Sequence, residues 1–324
     1  MVKNFLKKLH EKVLLELNYF YDLKKYKNFY TNTSKKAKTK QELQSWILQD
    51  KHRIEKAISL PNPRQGFGKE VFERLTKNTL EYIKQTDKDE IFYISLGVFN
   101  AYKEFHYKNN YTLPDFYINL RNKFAEEDFN NEKCNQSGYY ESSYSDISLN
   151  NSLQKAMRSR KSCRNFDEKK IITPEVINEI MSLAITAPSV CNRQHWKVHF
   201  FTQDNKNKIL SFQNGNSGFT KNIPMIAVVT SELSAFYSPN ERNQPYTDGG
   251  IFSMNLMYAI ESVGLKSCPL NWCNSYRTEK KFSKLNLIPQ SEKIILIIAF
   301  GYPNQEYIIA KSPRLPVNNF YTLN

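Results

Sequence analysis

Ile294 to Phe300 is an unbroken apolar run, and Met225 to Val229 is a second one. A strand with one wet face alternates apolar and polar residues, whereas a strand that is apolar throughout has to be covered on both faces. Two such strands call for a sheet with helices packed around it. The longer run is still far short of the ~20 residues that span a bilayer. The N-terminus, Met1-Val2-Lys3-Asn4-Phe5-Leu6-Lys7-Lys8, is broken by charge too often to be the core of a signal peptide. The expected localisation is cytoplasmic.

The rest of the chain divides into unlike halves. Residues 1–125 read as helical. Leu6, Leu9, Val13, Leu14 and Leu17 share one helical face, and further helices are expected over 40–57, 68–85, 88–106 and 114–124. Residues 126–149, rich in Ser, Asn and Glu, read as a polar linker. Residues 150–324 alternate helix and strand, with strands expected at 196–202, 224–230, 266–271 and 293–300. Thr173-Pro174-Glu175 opens one helix, with Thr at the N-cap and Pro at N1. Its apolar residues Val176, Ile177, Ile180, Leu183 and Ala184 should face inward. A longer helix runs from about Asp248 to Val263, with Gly264 as its C-cap. The fold class expected is α+β, a mixed sheet wrapped by helices and preceded by an all-helical region.

The formal net charge is +14, spread along the chain and densest between Lys24 and Lys40. No nucleic-acid-binding motif accompanies it, so no nucleic-acid partner is expected. The dense part reads as a solvated helix and loop, or as a peripheral contact with a membrane or polyanion. Five Cys without a C-x-x-C pair point to free thiols in a reducing compartment and no zinc site. G-x-G-x-x-G, P-loop, G-x-S-x-G and H-E-x-x-H patterns are absent from the sequence, which removes the usual dinucleotide fold, a Walker ATPase, an α/β-hydrolase and a zincin.

Two runs carry chemistry. Arg160-Lys161-Ser162-Cys163-Arg164 offers cations and a hydroxyl, suited to a phosphate and a polar ring edge. Ala187-Pro188-Ser189-Val190-Cys191-Asn192-Arg193-Gln194-His195-Trp196 is a turn whose polar groups suit a heteroaromatic. In this order and at this spacing they resemble the nitroreductase family, with its Arg-Arg-Ser-x-Arg and Ala-Pro-Ser-x-x-Asn-x-Gln-Pro-Trp runs. Lys161 stands where Arg or His is commoner, and His195 replaces Pro; this His is expected to be exposed, the alternatives being that it alters the turn or adds a polar group near the ring. Asp248-Gly249-Gly250 and Gly264-Leu265-Lys266-Ser267 resemble the family's central helix start and flavin-side strand. Gly301-Tyr302-Pro303 resembles its closing turn.

The resemblance covers roughly residues 152–316. It implies FMN as cofactor, NADH or NADPH as donor, and a homodimer with flavin at the interface. It also implies a small organic acceptor of nitro, quinone or enone type, with the chemistry centred on the flavin rather than on a catalytic side chain. The binding residues it implies are Arg160, Lys161, Ser162, Arg164, Pro188, Ser189, Asn192, Gln194, Asn216, Pro269, Leu270, Asn271, Lys311 and Arg314. His52 to Gly68, with its two prolines and two glycines, resembles the N-terminal region of nitroreductase-like proteins encoded with exopolysaccharide genes. That segment reads as a joint between helices, or as a lid using His52, Glu55 and Arg64. Two other readings stay open: a flavin enzyme that does not use nicotinamide, and a scaffold of a polysaccharide-biosynthesis assembly acting through the basic N-terminal half.

Overall fold

A computed structural model describes residues 2–30, 39–58, 63–139, 151–305, 307 and 317–324. The N-terminal half is helical: α1 (Val2–Phe29), α2 (Lys40–Ile58), α3 (Lys69–Tyr82), α4 (Glu90–Lys108) and α5 (Asp115–Arg121). The last four helices close an aromatic core. Phe72 stacks edge-on against Phe99 at 4.8 Å and against Tyr102 at 4.9 Å, a geometry worth about 1 kcal/mol per pair beyond burial. Asp89 caps α4 by accepting from the Phe92 N–H.

Residues 126–136, expected to belong to a linker, form two 3-10 turns, Glu126–Asn130 and Glu132–Gln136. Phe129 and Cys134 are buried in the aromatic core. Gly97 permits this docking, because a Cβ there would lie 2.0 Å from the Cys134 carbonyl oxygen.

The second half contributes α6 (Asn151–Ser159), α7 (Pro174–Ala184), β1 (Trp196–Phe201), α8 (Gln203–Leu210) and β2 (Met225–Glu232). Then follow α9 (Gln244–Ser262), β3 (Lys266–Asn271), α10 (Tyr276–Ser283) and β4 (Glu292–Gly301). The four strands form one sheet in the order β1-β2-β4-β3, antiparallel throughout. A parallel bridge between Ser162 and Ser267 adds the 160–164 segment to the β3 edge. Ile226, Val228, Cys268, Leu270, Ile297 and Ala299 bury one face, and Ala227, Val229, Ile298 and Phe300 bury the other against Phe252 and Leu256 of α9. Both apolar strands are therefore covered on both sides.

Gly264 ends α9 with φ +81°, and Leu265 N–H returns to the Ile260 carbonyl, the left-handed helix end that glycine favours. Thr173 stands at the N-cap of α7 with Pro at N1, but its hydroxyl caps no backbone N–H. Leu183, expected inside, is exposed.

The halves are in contact. Tyr26 of α1 packs with Leu233, Ala235 and Phe236 in one buried cluster, with Val190 beside them. Tyr26 also donates to the Ser238 carbonyl at 2.9 Å. Helix α2 lies against residues 190–192 and 233–235. Glu55 is occupied within the helical half, accepting from Lys51 at 2.7 Å and from the Gly138 N–H at 3.0 Å. Gly66 N–H donates to His106 Nε2 at 3.3 Å. Of the other residues read as a joint or lid, Leu60, Pro61 and Asn62 lie outside the described residues, and Arg64 is exposed.

Candidate functional site

The cationic run lies along the free edge of β3. Cys163 N–H donates to the Ser267 carbonyl at 2.9 Å, so Arg160, Lys161 and Ser162 enter the site beside that strand. Arg160 Nη1 and Ser267 Oγ are buried with no hydrogen-bond partner among the described residues. A buried guanidinium nitrogen and a buried hydroxyl left unpaired cost free energy that a polar ligand would recover. Arg158, Arg160 and Lys161 rim a shallow depression whose floor holds Met254 and Tyr258 of α9. Arg164 is exposed.

Alternation along β3 sets the rest of this edge. Cys268 and Leu270 point into one buried cluster. Ser267 and Pro269 pair with Phe300 and Ile298, whose side chains lie on the α9 face. Pro269 and Asn271 therefore present an exposed strip on that face. An edge strand tolerates Pro269 because its missing N–H faces no partner strand. Leu270, by contrast, is a core residue. Burial pushes the Cys163 and Cys268 thiols up, which disfavours the thiolate that a nucleophilic cysteine requires.

The second run is a strained turn. Cys191, Asn192 and Gln194 all have left-handed φ, at 49°, 50° and 49°. Such residues cost about 1 kcal/mol or more each and persist only where surrounding contacts impose them. Three contacts do so here. Ser189 Oγ accepts from the Gln194 N–H at 2.9 Å. Asp248, at the start of α9, accepts from the Val190 N–H at 2.8 Å. Arg193 is buried, donating to the Ala235 carbonyl at 2.9 Å and to Glu241 at 2.6 Å. Pro188 and Gln194 are left exposed, with Ser189 and Asn192 half-buried.

His195, expected to be exposed, is buried. Its Nε2 lies 2.8 Å from Asp248 Oδ2, and its Nδ1 lies 2.8 Å from Ser231 Oγ. An ionised carboxylate can only accept, so Nε2 carries the proton shared with Asp248, and the Ser231 hydroxyl, able to donate or accept, meets Nδ1. The order Ser–His–Asp is that of a hydrolytic triad, but Ser231 is fully buried within β2 and meets no substrate. The group is a brace for the turn. Gln244 donates to the other Asp248 oxygen at 2.7 Å. Burial raises the Asp248 carboxyl's pKa, but hydrogen bonds from His195, the Val190 N–H and Gln244 outweigh it and hold the group below the usual range.

The two runs do not meet within one chain. The turn leads into β1 and the cationic run borders β3, at opposite edges of the four-stranded sheet. Three strand spacings separate those edges, about 14 Å. Asn216 is buried, its amide donating to the Leu210 carbonyl and to Thr220, both at 3.1 Å, so its side chain ties down its own loop. Lys311 and Arg314 lie outside the described residues. Sequence reading missed Gln213. Its amide donates to the Asn271 backbone carbonyl and, at 3.3 Å, to Asn271 Oδ1. Its Oε1 accepts from the Gly215 N–H. Gln213 thereby orients Asn271 on the exposed strip. Only spatial proximity relates these two residues, 58 positions apart.

A four-stranded sheet covered on both faces, with a cationic run along one edge and a braced turn leading into the other, defines an α+β domain without a dinucleotide fingerprint. The model of the nitroreductase family matches residues 157–212 and 201–302, so this stretch, a little under half of the chain, is similar to that family. The iodotyrosine dehalogenase 1 homolog of Caenorhabditis elegans is 24% identical over 210 residues, which are 55% of this chain and 63% of that protein; the chain thus spans under two thirds of this relative. YodC of Bacillus subtilis, assigned as an NAD(P)H nitroreductase, is 21% identical over 199 residues, 51% of this chain and 96% of YodC. A nitroreductase-type protein of Desulfovibrio desulfuricans, solved in complex with FMN, is 21% identical, with 55% of this chain and 98% of that one covered and a TM-score of 0.45. Among the described residues no helix is long and apolar enough to cross a membrane.

Proposed function

We propose that the protein is an FMN-dependent oxidoreductase that passes a hydride from NADH or NADPH to a small organic acceptor of nitro, quinone or enone type, and that it works as a homodimer. Bound FMN would supply the two-electron chemistry, as the cofactor does in such enzymes. The observation that carries this reading is the pair of buried polar atoms without a hydrogen-bond partner among the described residues, Arg160 Nη1 and Ser267 Oγ, next to the exposed strip of Pro269 and Asn271. These residues fit a planar group with an anionic arm: cations for the arm, a hydroxyl and an amide for a polar edge, and Pro269 for apolar contact.

The chain's own residues would do three things. Arg160 and Lys161 hold negative charge, both on the phosphate and where it develops on the ring, since fixed cations in a partly dry site cost no reorganisation. Gln213 holds Asn271 in one orientation. The turn 188–194 offers Ser189, Asn192 and Gln194 to a site that its own chain does not complete, and a two-fold copy would bring it to the partner's β3 edge. Exposed Leu153, Met157, Leu183 and Ile251 lie on α6, α7 and α9, and α6 and α7 both pack on α9. These residues suit such an interface.

The resemblance of the His52–Gly68 segment supports a setting in polysaccharide biosynthesis. Exposed Leu6, Leu9, Val13 and Leu17 on α1 favour a second reading, a scaffold that recruits a partner through this helix. Flavin-fluorescence titration combined with sedimentation velocity separates the two. The enzyme reading expects a dimer that quenches one FMN per chain. A monomer that takes up no FMN would leave only the scaffold.

A further inference from the structure

A cavity of about 440 Å³ lies between α1 and the nitroreductase-like domain. Its size falls within the range of small-molecule pockets. Phe282, Ile288 and Ile294 on its wall belong to the same buried cluster as Cys268 and Leu270. It therefore sits on the sheet face opposite to Pro269 and Asn271, away from the proposed flavin strip. Phe20, Tyr21 and Phe29 of α1 face Trp272, Tyr276 and Phe282 across it. Phe282 stands edge-on to Trp272 at 4.9 Å. The α1 wall is fixed in place: Asn18 Oδ1 accepts from the Tyr276 N–H at 2.7 Å, and Asp22 pairs with Lys293 at 2.7 Å.

The charges in this wall are unevenly paired. Glu279 is engaged by Lys293 at 3.3 Å, and Glu292 by His199 at 2.6 Å and by the Thr230 hydroxyl. Lys25 has no carboxylate within ion-pair distance among the described residues. Its Nζ donates to the Glu292 backbone carbonyl at 2.6 Å, which leaves two of its three N–H donors unassigned. Burial, and then the neighbouring Lys293, lower its pKa to about 8, so it is still mostly charged at neutral pH. Lys24 and Lys280 stand exposed on the cavity's rim. An aromatic-walled cavity with both carboxylates committed and a half-buried cation unmatched is complementary to a flat apolar body carrying one negative charge.

We propose that this cavity is a second ligand site, one that takes a small aromatic anion of the aryl-carboxylate or aryl-sulfonate class, with Lys25 as the anion's partner. The site joins the helical half to the nitroreductase-like domain, so ligand and α1 stabilise each other's position by linkage. The assignment stands whether or not the domain binds FMN.

The test uses the full chain and two fluorescent probes. One is 1-anilinonaphthalene-8-sulfonate; the other is N-phenyl-1-naphthylamine, the same body without the sulfonate. The expected result is one saturable site for the sulfonate, weakened about tenfold by Lys25→Gln, as for loss of one charge-assisted contact, and largely kept by Lys25→Arg. Lys280→Gln at the rim should weaken it less. The neutral amine should bind more weakly and ignore Lys25→Gln. Saturating FMN should not displace the sulfonate. Equal affinity of wild type and Lys25→Gln for the sulfonate would overturn the proposal, as would equal affinity for the two probes or displacement by FMN.

Discussion

His195 Nε2 and Asp248 Oδ2 lie 2.8 Å apart in the interior, although 53 positions separate the residues in the chain. This contact ties the entry of β1 to the first turn of α9. It stands where the family's turn has a proline, so a hydrogen-bonded brace does the work of a fixed φ. Replacing His195 with Ala should cost about 3 kcal/mol, because a buried charge loses a partner. Thermal unfolding followed by circular dichroism reads it. A His195→Pro variant that melts within a degree or two of wild type would show that the brace is dispensable.

Asp248 also sets an acid limit. Its folded-state pKa lies below the unfolded value. Its contribution to stability is therefore fully present above the unfolded carboxylate range near 4, and is lost as pH falls through the lower folded value. Wild type should lose stability below about pH 4 more steeply than Asp248→Asn, which is the less stable protein at pH 7. Parallel pH–stability curves for the two would contradict this.

Arg160→Ala should weaken FMN binding by roughly 10- to 100-fold, the loss of one buried charge-assisted contact. Lys161→Arg should leave the affinity within about threefold, since the cation is kept. Both are read by flavin-fluorescence titration. If Arg160→Ala binds FMN as wild type does, the edge of β3 is not the phosphate or ring-edge contact.

Lys25 gives a test of opposite sign. Its folded-state pKa of about 8 is below the ordinary lysine value, so the unfolded state binds more protons between about pH 8 and 10.4, and stability from this group rises with pH across that window. Lys25→Met should therefore stabilise the protein at pH 7 by on the order of 1 kcal/mol, and the advantage should shrink by pH 10. A Lys25→Met protein that is less stable at pH 7 would mean that the lysine is already paired.

Gly97→Ala should destabilise the helical half by about 2–3 kcal/mol, because the new methyl meets the Cys134 backbone rather than a side chain that can rotate away. Proteolysis should then cut first within 126–139. Unchanged melting and an unchanged cleavage pattern would show that these turns are not docked on α4.

Strand positions and the long helices were readable because their signals are local: unbroken apolar runs for β2 and β4, 3.6-residue periodicity for α2 to α4, and a glycine at the end of α9. Helices α8 and α10 were missed; each has eight residues, several of them charged, too few for periodicity to speak. Residues 126–136 were misread because their composition is polar while the two residues that matter, Phe129 and Cys134, are buried. Leu183 was expected inside because apolar residues share its face of α7, yet it is exposed. The cationic run and the turn were visible as residue types. Their supports were not, since His195–Asp248, Arg193–Glu241 and Gln213–Asn271 are contacts between segments roughly 50 residues apart.

The central claim is tested most directly by the absorbance spectrum of the purified protein, recorded before and after anaerobic addition of NADPH and then NADH. The account predicts flavin bands, present as purified or after added FMN, that bleach with one of the two donors. A colourless protein that takes up no added FMN would contradict it.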